Sequence, residues 1–135
     1  MATKVFVNLP VKDVAAATHF FTQLGFVFNP QFSDEKATCL IIGENIFAML
    51  LVEDYFKTFT KKAISDATKT SEVLIAIDVA TKQELQQLVQ KASELGGSIY
   101  AEPQDHGWMY QHSFADLDGH QWEVMYMDQS QLPSE

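Results

Sequence analysis

Short apolar runs separated by polar breaks dominate the first half of the chain. They predict strands at 4–9, 26–28, 37–42 and 46–52. Between the first two runs, apolar residues recur at helical spacing after Asp13, a good N-cap, and stop at Gly25. Pro10 is expected to end the first strand because it has no N–H to donate. A turn at 43–45 makes the last two strands a hairpin. The predicted order is one strand, one helix and three strands.

The second half of the chain repeats this order. Apolar runs predict strands at 73–79, 98–101, 108–115 and 121–127. A capping box of Thr81 and Glu84 opens a helix with one apolar stripe, and Gly96 closes it. The last two strands turn at Asp118-Gly119. Internal repetition of a whole supersecondary unit is a strong architectural signal, and because neither unit could bury its sheet face alone, we expect the two to share a core or a cleft.

These patterns predict an α+β fold of two tandem βαβββ modules within one domain, residues 1–135. The first module is expected at 1–53 and the second at 72–135. The stretch at 54–71 is amphipathic at its start and polar afterwards, which is typical of a helical connector.

Composition narrows the classes of function. An apolar fraction of 47% is ample for a packed core, and a net charge of −9 argues against nucleic acid or an anionic membrane as partner. The lone Cys39 excludes an internal disulfide and lies in an apolar run, so we expect a small buried hydrophobe rather than a nucleophile. No run is long enough to be a transmembrane helix or a signal peptide. We therefore expect a cytoplasmic protein.

The hairpin at 105–124 carries most of the residue types that perform chemistry. It holds both tryptophans, three of the four histidines and Glu123, a carboxylate in an otherwise apolar strand. Such a carboxylate is costly unless it is paired, protonated or metal-bound. We expect Glu123 to be a general base or a polar anchor for a ligand. The alternative is a structural carboxylate paired with a lysine, histidine, hydroxyl or indole donor.

His112 shares one face of its strand with Trp108, Tyr110 and Phe114. If that face lines a cleft, it supplies an aromatic wall with one titratable group. Otherwise His112 is a satisfied histidine at a sheet edge or dimer contact. His120 is expected to be solvated or bonded to turn carbonyls. Core packing is predicted for Trp122 and Tyr126, and turn hydrogen bonding for Asp116 and Asp118.

Three motifs resemble the vicinal oxygen chelate superfamily, which includes glyoxalases, extradiol dioxygenases and fosfomycin- and bleomycin-resistance proteins. They are Leu9-Pro-Val-Lys-Asp13, the pair Phe20-Phe21 with Leu24-Gly25-Phe26, and Asp116-Leu-Asp-Gly-His-Gln-Trp-Glu123. The motifs occur in order and inside a repeat, and the resemblance covers nearly the whole chain. The resemblance implies two modules whose strands form a curled mixed sheet around a cleft, and a homodimer.

Metal-dependent members of that superfamily carry four ligand positions, on the first and last strands of each module. By the resemblance these positions are Phe6, Leu74, Glu123 and either Phe47 or Ala48. Only Glu123 can bind a divalent ion. We therefore predict no standard metal site and no cofactor; a divalent metal is disfavoured. A substitute site would have to combine His106, His112 and Glu123.

These observations predict a glyoxalase- or bleomycin-resistance-like protein that binds a small, partly apolar or aromatic molecule without the usual metal. The predicted ligand-binding residues are Phe6, Met49, Leu74, Trp108, Tyr110 and Glu123. The alternative is a lyase, isomerase or dioxygenase-type enzyme in which Glu123, with His112, is catalytic on an unorthodox metal site. The identity of the ligand does not follow from the sequence.

Overall fold

Residues 1–131 are described by a computed structural model, in which the chain divides into two compact units. The first unit ends at Ser65 and the second begins at Asp66. Each unit contains one mixed four-stranded sheet and one long helix in the order βαβββ. The predicted α+β fold is therefore confirmed. Within residues 1–131 no helix combines the length and the apolar character needed to cross a membrane.

The first unit has the strand order β1-β4-β3-β2, in which only the β1–β4 pair is parallel. Its elements are β1 (Val5–Val11), α1 (Val14–Gln23), β2 (Val27–Asn29), β3 (Ala37–Gly43), β4 (Ile46–Val52) and the short α2 (Glu53–Phe56), with 3-10 turns at Pro30–Phe32 and Lys57–Phe59.

Local chemistry fixes both ends of α1. The Asp13 side chain accepts a hydrogen bond from the Ala16 N–H at 3.0 Å, and Gly25 follows the helix with φ +100°. The helix buries Phe20 and Phe21, each 1% exposed, toward the sheet. Ala48 and Leu50 of β4 are fully buried, so one face of this sheet belongs to the core beneath α1. We call the opposite face, which carries Phe47, the helix-free face, because α1 does not cover it.

The second unit repeats this topology with the order β5-β8-β7-β6, and β5 runs parallel to β8. Its elements are β5 (Leu74–Asp78), α3 (Lys82–Glu94), β6 (Gln104–Asp105), β7 (Met109–Ala115) and β8 (Gln121–Met127), with a 3-10 turn at Gln129–Gln131. The capping box is present. The Thr81 hydroxyl accepts from the Glu84 N–H at 3.0 Å, and the Glu84 carboxylate accepts from the Ala80 N–H at 3.3 Å.

The core of the second unit lies between α3 and one face of its sheet. Leu85 and Val89 of α3 are at most 1% exposed, and Phe114, Trp122 and Val124 of the sheet are completely buried. The Phe114 and Trp122 rings stack in parallel at 6.3 Å. This confirms core packing for Trp122. The opposite face of the sheet carries Glu123.

Two predicted strand positions are wrong. Pro10 does not end β1, which continues to Val11 with Pro10 opposite Leu51. Because β1 is an edge strand bonded to β4 alone, it tolerates a residue without an N–H. The strand predicted at 98–101 is absent. Ser98 makes only an isolated bridge to Ala115, and the fourth strand is the two-residue β6.

Candidate functional site

An aromatic pair stands on the helix-free face of the first sheet. Phe6 of β1 lies opposite Phe47 of β4, and their rings stack with centroids 4.9 Å apart and planes 14° from parallel. Phe6 is 48% exposed, so the ring pair is accessible. Asn8 and Met49 form the next pair on this face. All side chains that β1 and β4 contribute here are uncharged, which makes the surface suitable for a flat apolar group.

The register also decides which residue of β4 belongs to this face. Ala48 alternates with Phe47, lies on the core face and is fully buried. Phe47 therefore occupies the position that the sequence left open between the two residues. The two positions of the first unit that the resemblance assigns to metal ligands are thus neighbours, and both carry a phenyl ring.

Glu123 lies on the helix-free face of the second sheet, half-buried, between Ser113 of β7 and Ala76 of β5. The Gln111 side chain donates from Nε2 to Glu123 Oε2 at 3.0 Å. This amide partner was not among the predicted donors, which were lysine, histidine, hydroxyl and indole groups. The signal that could have found it is register, because Gln111 is two residues from Ser113 on the same face of an adjoining strand.

Leu74 shares this face and is 52% exposed, next to Gln121. The residue thus stands on the same face as Glu123, although the strand pairing places Ala76 rather than Leu74 directly beside the carboxylate. The second sheet offers a polar group with apolar surroundings where the first sheet offers two rings.

The aromatic wall predicted for β7 does not share the face of Glu123. Tyr110 and His112 lie opposite Tyr126 and Val124, on the face that holds the core, so the prediction that one wall combines Tyr110 with Glu123 is wrong. The reason is period-two alternation: residues with even numbers on β7 and β8 point to the helix side. His112 Nε2 lies 3.1 Å from the Ala101 carbonyl oxygen, away from the Glu123 carboxylate.

Tyr110 and Trp108 have other neighbours. The ammonium group of Lys82 lies 4.4 Å from the centre of the Tyr110 ring and 3.7 Å from the Asp105 carboxylate, so Tyr110 takes part in an exposed cation–π contact. Trp108 precedes β7, and its carbonyl accepts from the Asp128 N–H at 2.7 Å.

Asp116 organises the turn that leads into the Glu123 strand. Its carboxylate accepts from the N–H groups of Asp118 and His120, each at 3.0 Å, and from the indole Nε1 of Trp122 at 3.1 Å. Burial raises the pKa of Asp116, while His120 and the Trp122 hydrogen bond oppose that rise. Turn chemistry is confirmed for Asp116. His120 is only 9% exposed, so of its two predicted roles the solvated one is wrong, and bonding to turn carbonyls stays a prediction.

The residues at the family's ligand positions do not fit a divalent metal. Phe6, Phe47 and Leu74 have no lone pair to donate, which leaves Glu123 as the one donor of the set. Within residues 1–131 no three His, Cys, Asp or Glu side chains stand where they could hold a metal ion. His106, His112 and Glu123 therefore do not form the substitute site.

A groove of about 720 Å³ lies elsewhere in the first unit, along α1. Its lining includes Lys12, Asp13, Thr18, His19, Asp34 and Glu35. None of the predicted site residues lines it. Asp13 and Asp34 already accept backbone hydrogen bonds from neighbouring residues, so both carboxylates serve local structure there.

Comparison with known proteins agrees with this architecture. The family profile for bleomycin resistance protein-like N-terminal regions matches residues 3–43. A hypothetical protein from S. aureus is 30% identical with a TM-score of 0.79, over 93% of this chain and 95% of its own. A glyoxalase/bleomycin resistance protein/dioxygenase family enzyme from Burkholderia phytofirmans is 19% identical with a TM-score of 0.77, over 90% of this chain and 96% of its own.

A genomically encoded fosfomycin resistance protein from Listeria monocytogenes is 18% identical with a TM-score of 0.69, over 100% of this chain and 96% of its own. No curated protein sequence matches the chain. The chain belongs to the vicinal oxygen chelate superfamily, the group of glyoxalases, bleomycin-resistance proteins and dioxygenases.

Proposed function

We propose that the protein binds a small, partly apolar or aromatic molecule on the helix-free face of the sheet in its first unit, without a divalent metal. The stacked Phe6–Phe47 pair carries this proposal. By the resemblance, both rings stand at positions where metal-dependent members of the superfamily place ligands. The two rings stack, and Phe6 is 48% exposed. An exposed ring in a strand costs solubility and adds nothing to the core, so its place on an uncharged face favours contact with an apolar ligand.

The second sheet offers a polar binding surface of its own. Glu123 is half-buried and, within residues 1–131, receives a side-chain hydrogen bond only from Gln111. A carboxylate has about four acceptor sites. The remaining acceptor capacity of Glu123 can therefore orient a ligand that brings its own donor.

The test for the first sheet is a calorimetric titration with two probes, 2-naphthol as a neutral aromatic and bleomycin as the compound named by the matching family profile. Phe6→Ala should weaken binding about tenfold, because a ring–ring contact contributes about 0.5–1.5 kcal/mol in addition to the area it buries. Phe32→Ala is the matched control, since Phe32 is 57% exposed and lies outside the paired strands.

Two results would contradict the proposal. In the first, the Phe6→Ala variant binds both probes as tightly as the wild type does and unfolds at the same temperature. The other is elemental analysis of the purified protein that finds one divalent metal ion per chain.

A second candidate is an enzyme of the same superfamily that uses Glu123 for proton transfer. The observation that favours it is the half-buried position of this carboxylate on an open sheet face. His112 would not assist, because it lies on the other face of the sheet. Hemithioacetal isomerisation and catechol cleavage, each measured with and without added Mn²⁺ or Fe²⁺, test this candidate. Turnover that Glu123→Gln abolishes would favour the enzyme.

We also propose a homodimer in a reducing, cytoplasmic compartment. The edge strands β1 and β2 carry exposed apolar side chains, among them Val5 at 53% and Val27 at 62%, which pairing of two copies would cover. The lone cysteine, Cys39, is buried and unpaired. Sedimentation equilibrium that gives a monomer mass at all concentrations would contradict the dimer.

A further inference from the structure

Three of the five methionines of the protein lie on the same sheet face as Glu123. Met109 lies opposite Met127, and Met125 lies opposite Gln111, all on the helix-free face of the second sheet. We call the surface formed by Met109, Gln111, Glu123, Met125 and Met127 the methionine face. Each of its residues is half-buried. Thioether side chains are flexible and polarisable, and they make favourable contacts with the edges of aromatic rings.

The hydrogen bond between Gln111 and Glu123 fixes the polar character of this face. Gln111 uses an N–H of its amide on Glu123 Oε2, which turns the amide nitrogen toward the carboxylate. The Gln111 carbonyl oxygen and the second carboxylate oxygen then remain as acceptors. The Gln111 amide keeps one further N–H, but the free acceptor sites outnumber it and the carboxylate is charged, so this pair favours a ligand that supplies N–H or O–H donors.

The negative charge of this sheet face also favours a ligand that brings donors. Asp78 adds a second carboxylate to the same sheet face, opposite Met125. No lysine or histidine stands at the positions of β5, β7 and β8 that share this face. Within these described strands nothing offsets the two negative charges, and the chain as a whole carries −9. Such a surface attracts cations and repels anions.

We propose that the methionine face binds an organic cation in which a flat apolar ring carries N–H donors, such as an amidinium or aryl ammonium group. The ring contacts the three thioethers, and the donors bond Glu123 and Gln111. The same face rejects carboxylates and phosphonates. This assignment rests on the proposed ligand-binding function and names the chemistry of the ligand that the second unit would bind.

The test uses the full-length protein labelled with ¹³C in the methionine methyl groups, which give five signals assigned by single Met→Leu variants. The probes are benzamidine, benzoate and benzyl alcohol, which share a ring and differ in charge. Benzamidine should shift the signals of Met109, Met125 and Met127 and leave that of Met1 in place. Its affinity should exceed that of benzoate by about tenfold or more, since hydrogen bonds to a charged group are among the stronger ones.

Glu123→Gln should weaken benzamidine binding by about tenfold, because the substitution keeps the shape and removes the charge. Glu102→Gln is the matched control. Glu102 is an exposed residue of the same unit, and its substitution changes the net charge equally, so it should alter the affinity by less than about twofold.

Three results would overturn the inference. They are an absence of benzamidine shifts at the three methyl groups, benzoate binding as tight as that of benzamidine, and an equal loss of affinity in Glu102→Gln and Glu123→Gln. The proposed function is tested separately, by the binding of 2-naphthol. If 2-naphthol binds and Phe6→Ala weakens that binding, the proposed function is retained even when the inference about the methionine face is overturned. If 2-naphthol does not bind, or binds independently of Phe6, the proposed function is wrong.

Discussion

Replacing Gly119 by alanine should strongly destabilise the second unit. Gly119 has φ +88°, a conformation that L side chains rarely adopt. A Cβ atom there would lie 2.8 Å from both the Ala67 carbonyl carbon and the Thr68 nitrogen. That neighbouring backbone is held in place, because the Asp66 carboxylate accepts from the N–H and the hydroxyl of Thr68. The added methyl group therefore overlaps with backbone atoms that cannot shift easily.

Two costs add in this substitution. A non-glycine residue at positive φ costs about 1–3 kcal/mol. An overlap with fixed backbone costs about another 1–3 kcal/mol, by analogy with overpacked cores. Gly96→Ala separates the two, because Gly96 has φ +103° but its nearest obstacle is the Leu117 Cδ2 atom at 3.2 Å. Leu117 is 41% exposed and can rotate away, so only the strain should remain.

The assay is equilibrium unfolding in urea followed by tryptophan fluorescence. Both tryptophans, Trp108 and Trp122, belong to the second unit, as do both glycines, so one signal reports both variants. With a slope of about 1–3 kcal/mol per molar urea, the midpoint should fall by about 1 M for Gly96→Ala and about twice as much for Gly119→Ala. Equal midpoints for the two variants would refute the role assigned to the Ala67–Thr68 backbone.

Other expectations concern Asp116, Cys39 and Thr81. Burial raises the pKa of Asp116, so the stability gained from this carboxyl group is complete below its ordinary pKa of 3.8 and is lost as pH rises through the raised pKa. The urea midpoint of the wild type relative to Asp116→Asn should therefore fall as pH increases from about 4, and a flat difference would contradict the shift. Burial likewise raises the pKa of the Cys39 thiol, so Ellman's reagent should label the native protein far more slowly than the protein in urea; equal rates would mean an accessible thiol. Thr81→Ala should cost about 1 kcal/mol by loss of the α3 N-cap, measured as a lower urea midpoint, with the helix content by circular dichroism otherwise kept.

The elements of the fold could be predicted from the sequence because apolar spacing and helix-end signals agree with each other. Asp13 and Thr81 accept the N-cap hydrogen bonds that their positions suggested. The strands at 46–52 and 121–127 have the predicted bounds. The predictions were wrong where the position of a strand in the sheet, rather than the local sequence, decides the outcome. Pro10 is compatible with a strand only because that strand lies at an edge, which local sequence does not reveal.

The residues of the candidate site were harder to predict than its position. Alternation alone shows that Tyr110 and Glu123 lie on opposite faces once the two strands are in register, but the register comes from pairing across the hairpin. Gln111 carries no signal by itself, since an exposed glutamine in a strand is ordinary. Its importance arises from the carboxylate of Glu123 on the next strand.

The parallel pairing of the first and last strands in each unit has a consequence for folding. Phe6 meets Phe47, and Ala76 meets Glu123, only when the two ends of a unit come together. The hairpins β3–β4 and β7–β8 join residues close in sequence and can form early, whereas these pairings close the longest loops of their units. The ring pair and the surroundings of Glu123 should thus appear in the last step of folding, so that a ligand on either face binds the completed unit and slows its unfolding.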